Sequence, residues 1–295
     1  MIHRTTFAIP AGNVQTILAV AALVASLSAC NNANTSAPPA YAQSEATTPP
    51  AEASPAEIAT PSTDRTALPA ASARTEPPVV VPPQAVDTNY LLGKFDPAAR
   101  TDFMAVGKPY ADRAGMSLRR EAVESFQKMW AAAHREGISL KIISSTRTFA
   151  QQKAIWEGKW ARFAAQTPDA EARALRILEY SSMPGASRHH WGTDFDLNDL
   201  NNSSFEAGGK YEKVYQWLVA HAHEYDFCQP YTAGRPHGYK EEKWHWSYTP
   251  LSKPLLEQYE KSVTDARLEG FPGAEMAARI QVVKHYALGI NAACK

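Results

Sequence analysis

The stretch Ser187–Asp196, SRHHWGTDFD, places two histidines and two carboxylates within ten residues of chain. Groups of these kinds are costly to bury unless each one finds a partner. A metal ion, a network of ion pairs or exposure to solvent would each provide that partner. The residues within this stretch and elsewhere in the chain indicate which of these three arrangements to expect.

The end of this stretch predicts a short strand over Thr193–Leu197. Alternate side chains of a strand point to opposite faces, so Phe195 and Leu197 share one face while Asp194 and Asp196 share the other. The apolar face suits a core, whereas the acidic face requires a cation, hydrogen-bond donors or water.

His189 and His190 are adjacent on a glycine-bounded loop, so their side chains are not expected to serve the same face. Histidine and carboxylate are suitable zinc ligands, and a catalytic zinc site has three protein ligands and one position open for water. His189 and Asp196 are candidates for two of these ligands, and the third has to come from elsewhere in the chain.

The stretch Glu241–Tyr248, EEKWHWSY, supplies the best third candidate. His245 stands between two tryptophans, an apolar setting that favours a neutral imidazole able to coordinate a metal. Glu242 lies three residues upstream, and a carboxylate near the metal can take a proton from attacking water. Positions 242 and 245 fall on opposite faces of an ideal strand, so Glu242 is expected on an irregular approach or at a bulge. Taken alone, an aromatic-rich core strand with one satisfied histidine would explain this stretch equally well.

The N-terminus indicates export. Arg4 precedes an apolar run over 16–27, which is shorter than the span of about 20 residues that a membrane needs. The run ends in LSAC at 27–30, so residues 1–29 read as a secretory signal peptide. LSAC also resembles the bacterial lipobox, in which Cys30 becomes the lipidated first residue, although an ordinary signal cut nearby would leave Cys30 incidental. Asn31 rather than aspartate follows, so we expect a periplasmic lipoprotein anchored to the outer membrane.

Residues 30–86 predict a disordered linker behind the lipid anchor. Residues 31–86 hold 11 of the 21 prolines but no glycine and no tryptophan. Such a stretch cannot bury enough apolar surface to offset its chain entropy, and its prolines make it an extended tether. All seven tryptophans lie in 87–295, which is long enough for one well-filled core.

Charge and cysteine content indicate which partners and which crosslinks to expect. The chain has 30 basic and 30 acidic residues, and this zero formal charge gives no indication of nucleic acid or an anionic membrane surface as partner. With Cys30 assigned to lipid, Cys228 and Cys294 remain as an even pair in an exported domain. We expect a disulfide between them, with two separate thiols as the alternative.

The folded part mixes helices and short strands without a regular βαβ repeat, which favours an α+β domain. Ser117 is a candidate N-cap for the first long helix, Gly137 ends that helix, and Pro168 is expected at the first position of a later one. We expect one compact domain over 87–295, with a small, mostly antiparallel sheet flanked by helices. The expected helices cover 117–136, the apolar stripe of 155–163, the segment from 167 onward, 214–221, 255–266 and 274–288, and the expected strands cover 140–144, 193–197, 225–231 and 243–248.

Ser-x-His-x-x-Gly-x-x-x-Asp at 187–196, followed by Glu-x-Trp-His-Trp at 242–246, resembles the motifs of the VanY-type zinc D-alanyl-D-alanine carboxypeptidases. That group also includes L,D-carboxypeptidases and peptidoglycan endopeptidases. The resemblance covers roughly 141–248, with the motifs in the family's order. It implies that His189, Asp196 and His245 bind Zn²⁺ and that Glu242 is the catalytic base.

The resemblance extends to candidate substrate-binding residues. SSTRTF at 144–149 is similar to the family's arginine motif, so Arg147 is expected to stabilise the developing oxyanion or to hold a substrate carboxylate. Gln152 follows this motif and Tyr239 precedes the acidic pair, and both are expected at the substrate cleft. Ser187 is expected to hydrogen-bond near the metal ligands or the substrate peptide.

The chain departs from the family's pattern at three places. Ser145 and Thr146 replace the glycine and tyrosine of the arginine motif, and Lys243 replaces a frequent proline. Asp194 replaces a common alanine and is expected to be a partner of a ligand or, less readily, a ligand itself. Because no ligand or base is missing, these differences affect the expected substrate preference and leave the expected activity intact.

The resemblance implies a zinc metallopeptidase that trims peptidoglycan stem peptides, most simply a D-alanyl-D-alanine carboxypeptidase. An L,D-carboxypeptidase or a D,D-endopeptidase would use the same zinc chemistry in a differently shaped cleft. A non-catalytic lipoprotein that binds the cell wall would explain the anchor and the linker, but it has no need of Glu242. A structural or storage zinc site usually has four protein ligands, often cysteines, and fits least well.

Overall fold

The computed structural model describes residues 86–295. The predicted signal peptide, the lipidation at Cys30 and the linker up to residue 85 lie outside the described residues and stay predictions. Within the described part, no helix is both long enough and apolar enough to cross a membrane.

Helices and short strands follow one another in this part without a βαβ repeat, which confirms the predicted α+β class. The helices are α1 (Thr88–Leu91), α2 (Arg120–Arg135), α3 (Phe149–Phe163), α4 (Ala170–Leu178), α5 (Glu212–His221), α6 (Thr249–Ser262) and α7 (Met276–Ile280). The strands are β1 (Phe103–Ala105), β2 (Ser117–Arg119), β3 (Ile142–Ser144), β4 (Asp194–Leu197), β5 (Phe227–Cys228) and β6 (His245–Tyr248).

The strands form two antiparallel sheets. One contains β1 and β2, and the other has the order β3-β4-β6-β5. In the register of the two central strands, Asp196 of β4 lies opposite His245 of β6, and Asp194 lies opposite Ser247. Residues about fifty positions apart in the sequence thus become neighbours on one face of the sheet.

The opposite face of β4 belongs to the core, as its alternating pattern predicted. Phe195 and Leu197 are fully buried, and the Phe195 ring lies 5.1 Å from the rings of both Phe126 of α2 and Phe227 of β5. Burial of a side chain of this size stabilises a fold by about 1.5–3 kcal/mol. Helix α2 therefore packs against the sheet from the side that faces away from the carboxylates.

The helix predicted over 117–136 begins three residues late. Ser117–Arg119 form β2, and Arg119 occupies the N-cap position of α2 without a side-chain capping bond. The prediction that Ser117 caps this helix was wrong because strand pairing with β1 outweighs the local capping preference of serine. The helix ends before Gly137, as predicted, and this glycine takes a positive φ of 73°.

The start of α4 also differs from the prediction. The carboxylate of Asp169 accepts a hydrogen bond from the Ala172 amide at 2.8 Å and so caps the helix, which begins at Ala170. Pro168 precedes the cap, and its predicted place at the first helical position was wrong. Aspartate is among the strongest N-cap residues, and here it decides where the helix starts.

Several other elements differ from their predicted bounds. The strand expected over 225–231 is reduced to β5, because a 3₁₀ turn over Ala222–Tyr225 and a left-handed Asp226 (φ 63°) occupy the chain before it. The helix expected over 274–288 is interrupted at Gln281 (φ 54°) and continues as a π-helical turn over Val283–Ala287. The helix expected over 255–266 is α6, which begins and ends earlier.

A disulfide joins Cys228 of β5 to Cys294, 66 residues further along the chain. It ties the C-terminal segment, which contains α6 and α7, to the edge of the four-stranded sheet. A crosslink that closes a loop of this size lowers the conformational entropy of the unfolded chain.

We expect removal of this disulfide to lower the free energy of unfolding by about 4 kcal/mol, because the loop it closes is long. The test is denaturant unfolding of a domain over 86–295 and its Cys228→Ser/Cys294→Ser variant. A reducing agent should destabilise the original domain and leave the variant unchanged. Equal unfolding midpoints for the two proteins under oxidising conditions would contradict the prediction.

Candidate metal centre

Three candidate ligands come together on the sheet face that points away from α2. Asp196 and His245 are opposite each other on β4 and β6, so their side chains share a face. His189 lies on a 3₁₀ helix, Arg188–Trp191, that leads into β4 through the left-handed Gly192. One potential ligand atom from each of the three residues lies within 4.8 Å of the others.

The distances within this group suit a shared cation. His245 Nδ1 lies 3.1 Å from Asp196 Oδ1, and His189 Nε2 lies 3.4 Å from Asp196 Oδ2. The two imidazole rings are nearly perpendicular, with centroids 4.7 Å apart. All three residues are buried.

Hydrogen bonding leaves the inner nitrogen of His189 available as a ligand. Its Nδ1 lies 2.8 Å from the carbonyl oxygen of Ser145, which can only accept, so Nδ1 carries the proton. Burial lowers the pKa of His189 to about 4, which keeps the ring neutral. Within the described residues, His189 Nε2 and Asp196 Oδ1 are buried without a hydrogen-bond partner. Unpaired buried polar atoms of this kind are what a bound metal would satisfy, so the donor set fits zinc.

His245 presents the other ring nitrogen to the metal group: Asp194 holds its Nε2, whereas Ser145 holds the Nδ1 of His189. Its Nε2 lies 3.0 Å from Asp194 Oδ2, and this bond leaves Nδ1 facing Asp196. Burial alone would lower the pKa of His245, but the neighbouring carboxylates of Asp194 and Asp196 outweigh burial and raise it to about 9. The apolar setting expected from the flanking tryptophans is therefore wrong, because two carboxylates contact the ring. Metal binding at Nδ1 would replace the proton that the Asp196 carboxylate stabilises there.

Asp194 belongs to a fully buried network behind His245. Its carboxylate accepts from Arg188 Nε at 2.8 Å, from Thr193 Oγ1 at 2.6 Å and from Ser247 Oγ at 2.9 Å. Burial would raise the pKa of Asp194, but the Arg188 charge and His245 hold it below its ordinary value. Of the two roles expected for Asp194, the geometry places it as the partner of a ligand, since it is not one of the three residues whose ligand atoms converge.

Glu242 lies beside the metal group on the irregular chain that precedes β6. Its Oε2 is 3.5 Å from His245 Nδ1, and its amide donates to the carbonyl of Tyr231 at 2.9 Å. β6 begins only at His245, so the expectation that Glu242 sits off the regular strand is confirmed. Burial raises the pKa of Glu242 to about 8, so its carboxylate is a stronger base than that of an exposed glutamate.

Arg147 borders the same group from the other side. Its Nη2 lies 3.9 Å from Asp196 Oδ2, and its Nη1 donates to Gln152 Oε1 at 3.1 Å. Gln152 donates in turn to the carbonyl of Ser182 at 2.8 Å, so this buried glutamine holds Arg147 and does not itself line the cleft. The Nε of Arg147 is buried with no partner in the described part of the chain.

The structure separates His190 from the metal group, as the sequence predicted. Its Nδ1 lies 2.6 Å from the carbonyl oxygen of Arg147, and its Nε2 accepts from the Gly185 amide at 3.0 Å. Gly93 packs so closely against this ring that an added Cβ would lie 2.3 Å from Nδ1. His190 therefore fixes the backbone that carries Arg147.

The two remaining predicted site residues have different positions. Tyr239 lines a small cavity next to His189, Glu242 and His245, and its hydroxyl is buried without a partner among residues 86–295. Ser187 is buried before the 3₁₀ helix, where its carbonyl accepts from the His190 amide. The described hydrogen bonds include none from its hydroxyl to a candidate ligand, and its expected role near the metal ligands or the substrate peptide stays a prediction.

The metal group opens into a cleft of about 1010 Å³. Asp196, Glu242 and Arg147 line its inner wall, and Leu200 and Tyr180 lie towards solvent along it. The cleft gives a ligand access to the side of Asp196 and Glu242 that the core does not cover.

Sequence reasoning missed four residues that shape the site. Ser145 orients His189 through its backbone, and Tyr231 packs its ring 4.7 Å from His245. Arg188 and Ser247 complete the network around Asp194. The position of Arg188, six residues before an acid on a predicted strand, was a usable signal, whereas the other three depend on tertiary placement alone.

The segment 115–251 matches the sequence model of the VanY family, described as D-alanyl-D-alanine carboxypeptidase. Among curated proteins, the putative carboxypeptidase YodJ of Bacillus subtilis (strain 168) is 27% identical over 135 residues. The aligned region covers 44% of this chain and 46% of YodJ, so the chain spans about half the length of that relative.

Two solved structures have a similar arrangement of chain. VanYB in complex with D-alanine-D-alanine is 21% identical with a TM-score of 0.42, over 55% of this chain and 86% of VanYB. A variant of the D,D-pentapeptidase VanY in complex with Zn(II) is 21% identical with a TM-score of 0.41, over 60% of this chain and 89% of that one.

The matched segment contains all three candidate ligands, together with Glu242 and Arg147. Its motifs and its sequence match point to the same group of peptidases. The segment that carries the site therefore matches the VanY family, described as D-alanyl-D-alanine carboxypeptidase, over residues 115–251.

Proposed function

We propose that the protein is a zinc-dependent D-alanyl-D-alanine carboxypeptidase that trims peptidoglycan stem peptides. The observation that carries the proposal is the convergence of His189, Asp196 and His245 with Glu242 beside them, at the inner end of an open cleft. Three protein ligands with an adjacent carboxylate form the pattern of a catalytic zinc site, in which a fourth position stays open.

His189 Nε2, an oxygen of Asp196 and His245 Nδ1 would hold the ion. Zinc bound there supplies a Lewis acid that acidifies water and polarises the scissile carbonyl. Glu242 takes the proton of the attacking water on a carboxylate oxygen and delivers it to the amine that leaves. Its burial supports this role, because desolvation brings the pKa of the carboxyl close to neutral.

Arg147 acts on the substrate from the opposite side of Asp196. Gln152 fixes one end of the guanidinium, while Nε remains available to the developing oxyanion or to the terminal carboxylate of the peptide. Tyr239 directs a second unpartnered donor into the small cavity beside the ligands.

We also propose that the protein is an exported lipoprotein, anchored through Cys30 to the outer membrane and extended by its linker toward the cell wall. The LSAC motif and the proline-rich composition of residues 31–86 support this location. Metabolic labelling with a lipid precursor, compared between the full chain and Cys30→Ala, tests the anchor. Equal labelling of both proteins would exclude Cys30 as the site of lipidation.

The experiment that tests the activity is a mass-spectrometric digest of muropeptides. The zinc-loaded protein is incubated with pentapeptide, tetrapeptide and cross-linked substrates, with and without a chelator. Chelator-sensitive loss of one alanine from the pentapeptide supports the proposal. Cleavage of the tetrapeptide alone indicates an L,D-carboxypeptidase, and separation of dimers indicates an endopeptidase. If all three substrates stay intact while zinc is bound, the result favours the alternative of a non-catalytic lipoprotein that binds the cell wall.

Replacement of Glu242 by glutamine separates catalysis from metal binding. We expect Glu242→Gln to retain zinc and to lose at least about 10²-fold in hydrolysis, because the amide cannot accept the proton of water. Metal content and the rate of alanine release are measured on the same preparation. Full activity in this variant would exclude Glu242 as the base.

The paired variants His189→Gln and His190→Gln test the choice between adjacent histidines. His189→Gln removes a ligand and should lose most of the bound zinc. His190→Gln should keep zinc and melt at a lower temperature, because His190 bonds only to backbone groups. Metal analysis and thermal unfolding provide the two readouts. If His190→Gln lost the zinc and His189→Gln kept it, the ligand would be His190 and not His189.

Asp194 gives a prediction about the affinity for the metal. Partners of metal-bound histidines typically contribute 10–100-fold in affinity, so Asp194→Asn should weaken zinc binding by about that factor. Because a lone buried arginine is destabilising, the double variant Arg188→Met/Asp194→Ala is the control for stability. We expect it to regain stability without regaining zinc affinity, as measured by competition with a chromogenic chelator. Recovery of the affinity would show that Asp194 does not orient His245.

A further inference from the structure

Lys159 stands out among the charged residues of the cleft. The charged residues that line it within the described part are Arg113, Arg147, Lys159, Asp196 and Glu242. Both acids belong to the metal centre, so the cleft beyond that centre presents only cations. The whole chain has no net charge, whereas the lining of this cleft has three cations and two acids.

The three cations differ in what they contact. Arg113 forms an ion pair with Asp112 at 3.2 Å, and Arg147 has Asp196 at 3.9 Å. Lys159 is half-buried, and no hydrogen bond or ion pair within residues 86–295 involves its ammonium. An ammonium that loses water without gaining a partner is unfavourable, and a ligand anion would offset that cost.

The position of Lys159 aims it along the cleft. Gln151, Ile155 and Lys159 follow one another at four-residue intervals on α3 and all line the cleft, so they form one stripe of the helix. Arg147 lies just before the start of the same helix. A peptide bound along α3 would thus meet Arg147 near the metal centre and Lys159 about three turns further on.

The surroundings of Lys159 favour an anion from outside the chain. Lys159 also borders a second cavity of about 190 Å³, together with Arg162 and Arg176. The one acid of that cavity in the described part, Glu179, forms an ion pair with Lys240 at 3.0 Å. Burial, and after it the nearby charges of Arg162 and Arg147, lower the pKa of Lys159, and the opposing charge of Glu242 does not offset them.

We propose that Lys159 is a carboxylate-binding subsite, and that the preferred substrates are acidic peptides with a free carboxylate upstream of the scissile bond. This inference rests on the proposed peptidase function and specifies its substrate class. Arg147 and the metal centre act on the C-terminal end of the peptide, while Lys159 contacts a second carboxylate. Amidation of that carboxyl group would remove the contact.

The test uses matched peptides that end in D-Ala-D-Ala and carry glutamate or glutamine at one of the three preceding positions. At one position we expect kcat/KM to be about fivefold higher for the glutamate peptide, mainly through KM, as for a partly solvated ion pair. Lys159→Gln should abolish this preference. Lys153→Gln is the matched control, because Lys153 lies on the same helix, pairs with Glu157 and does not line the cleft.

A preference for glutamate that persists in Lys159→Gln, or its absence from the original protein, would overturn the subsite. Lys159→Glu provides a second test, because it should invert the preference toward a lysine at the same position of the peptide. If no peptide is hydrolysed, the proposed peptidase function is wrong, and this result alone does not decide the role of Lys159. Calorimetric binding of the same peptide pairs to the zinc-loaded Glu242→Gln protein then still decides whether Lys159 binds a carboxylate.

Discussion

The backbone hydrogen bonds between β4 and β6 hold Asp196 opposite His245 and Asp194 opposite Ser247. A slip of one residue in this register would turn every side chain of β4 to the other face. Such a slip would expose Phe195 and bury Asp196 against α2, at a cost of several kcal/mol in apolar burial and desolvation alone. The hydrophobic core thus determines the position of the metal ligands.

The second constraint is the compensation of charge inside the sheet. Asp194, Asp196 and Glu242 are all buried within a short distance of His245. Arg188 neutralises the first of these acids, and its own guanidinium lies 4.9 Å from the ring of Trp191. A divalent ion between His189, Asp196 and His245 would provide the positive charge that Asp196 and Glu242 otherwise draw from a protonated imidazole.

The sequence predicted the candidate site better than it predicted the outline of the fold. Alternation along 193–197 placed Asp196 on the polar face, and residue spacing placed Glu242 off the strand, because both follow from local geometry. The network around Asp194 was only partly predictable, since Ser247 reaches it through pairing between strands 53 residues apart. The boundaries at Ser117 and Pro168 were misplaced for the same reason, because a strand partner and a competing cap decided them.

The edges of the four-stranded sheet have a consequence for self-association. A long exposed edge strand is a template for pairing with another chain. Here β5 has only two residues and is crosslinked at Cys228, while at the other edge Ile142 of β3 already exchanges backbone hydrogen bonds with Tyr110 and Asp112. In the described part of the chain, both edges of this sheet therefore present few unpaired backbone N–H and C=O groups to a neighbouring molecule. Edges of this kind would resist edge-to-edge aggregation with a neighbouring copy of the protein.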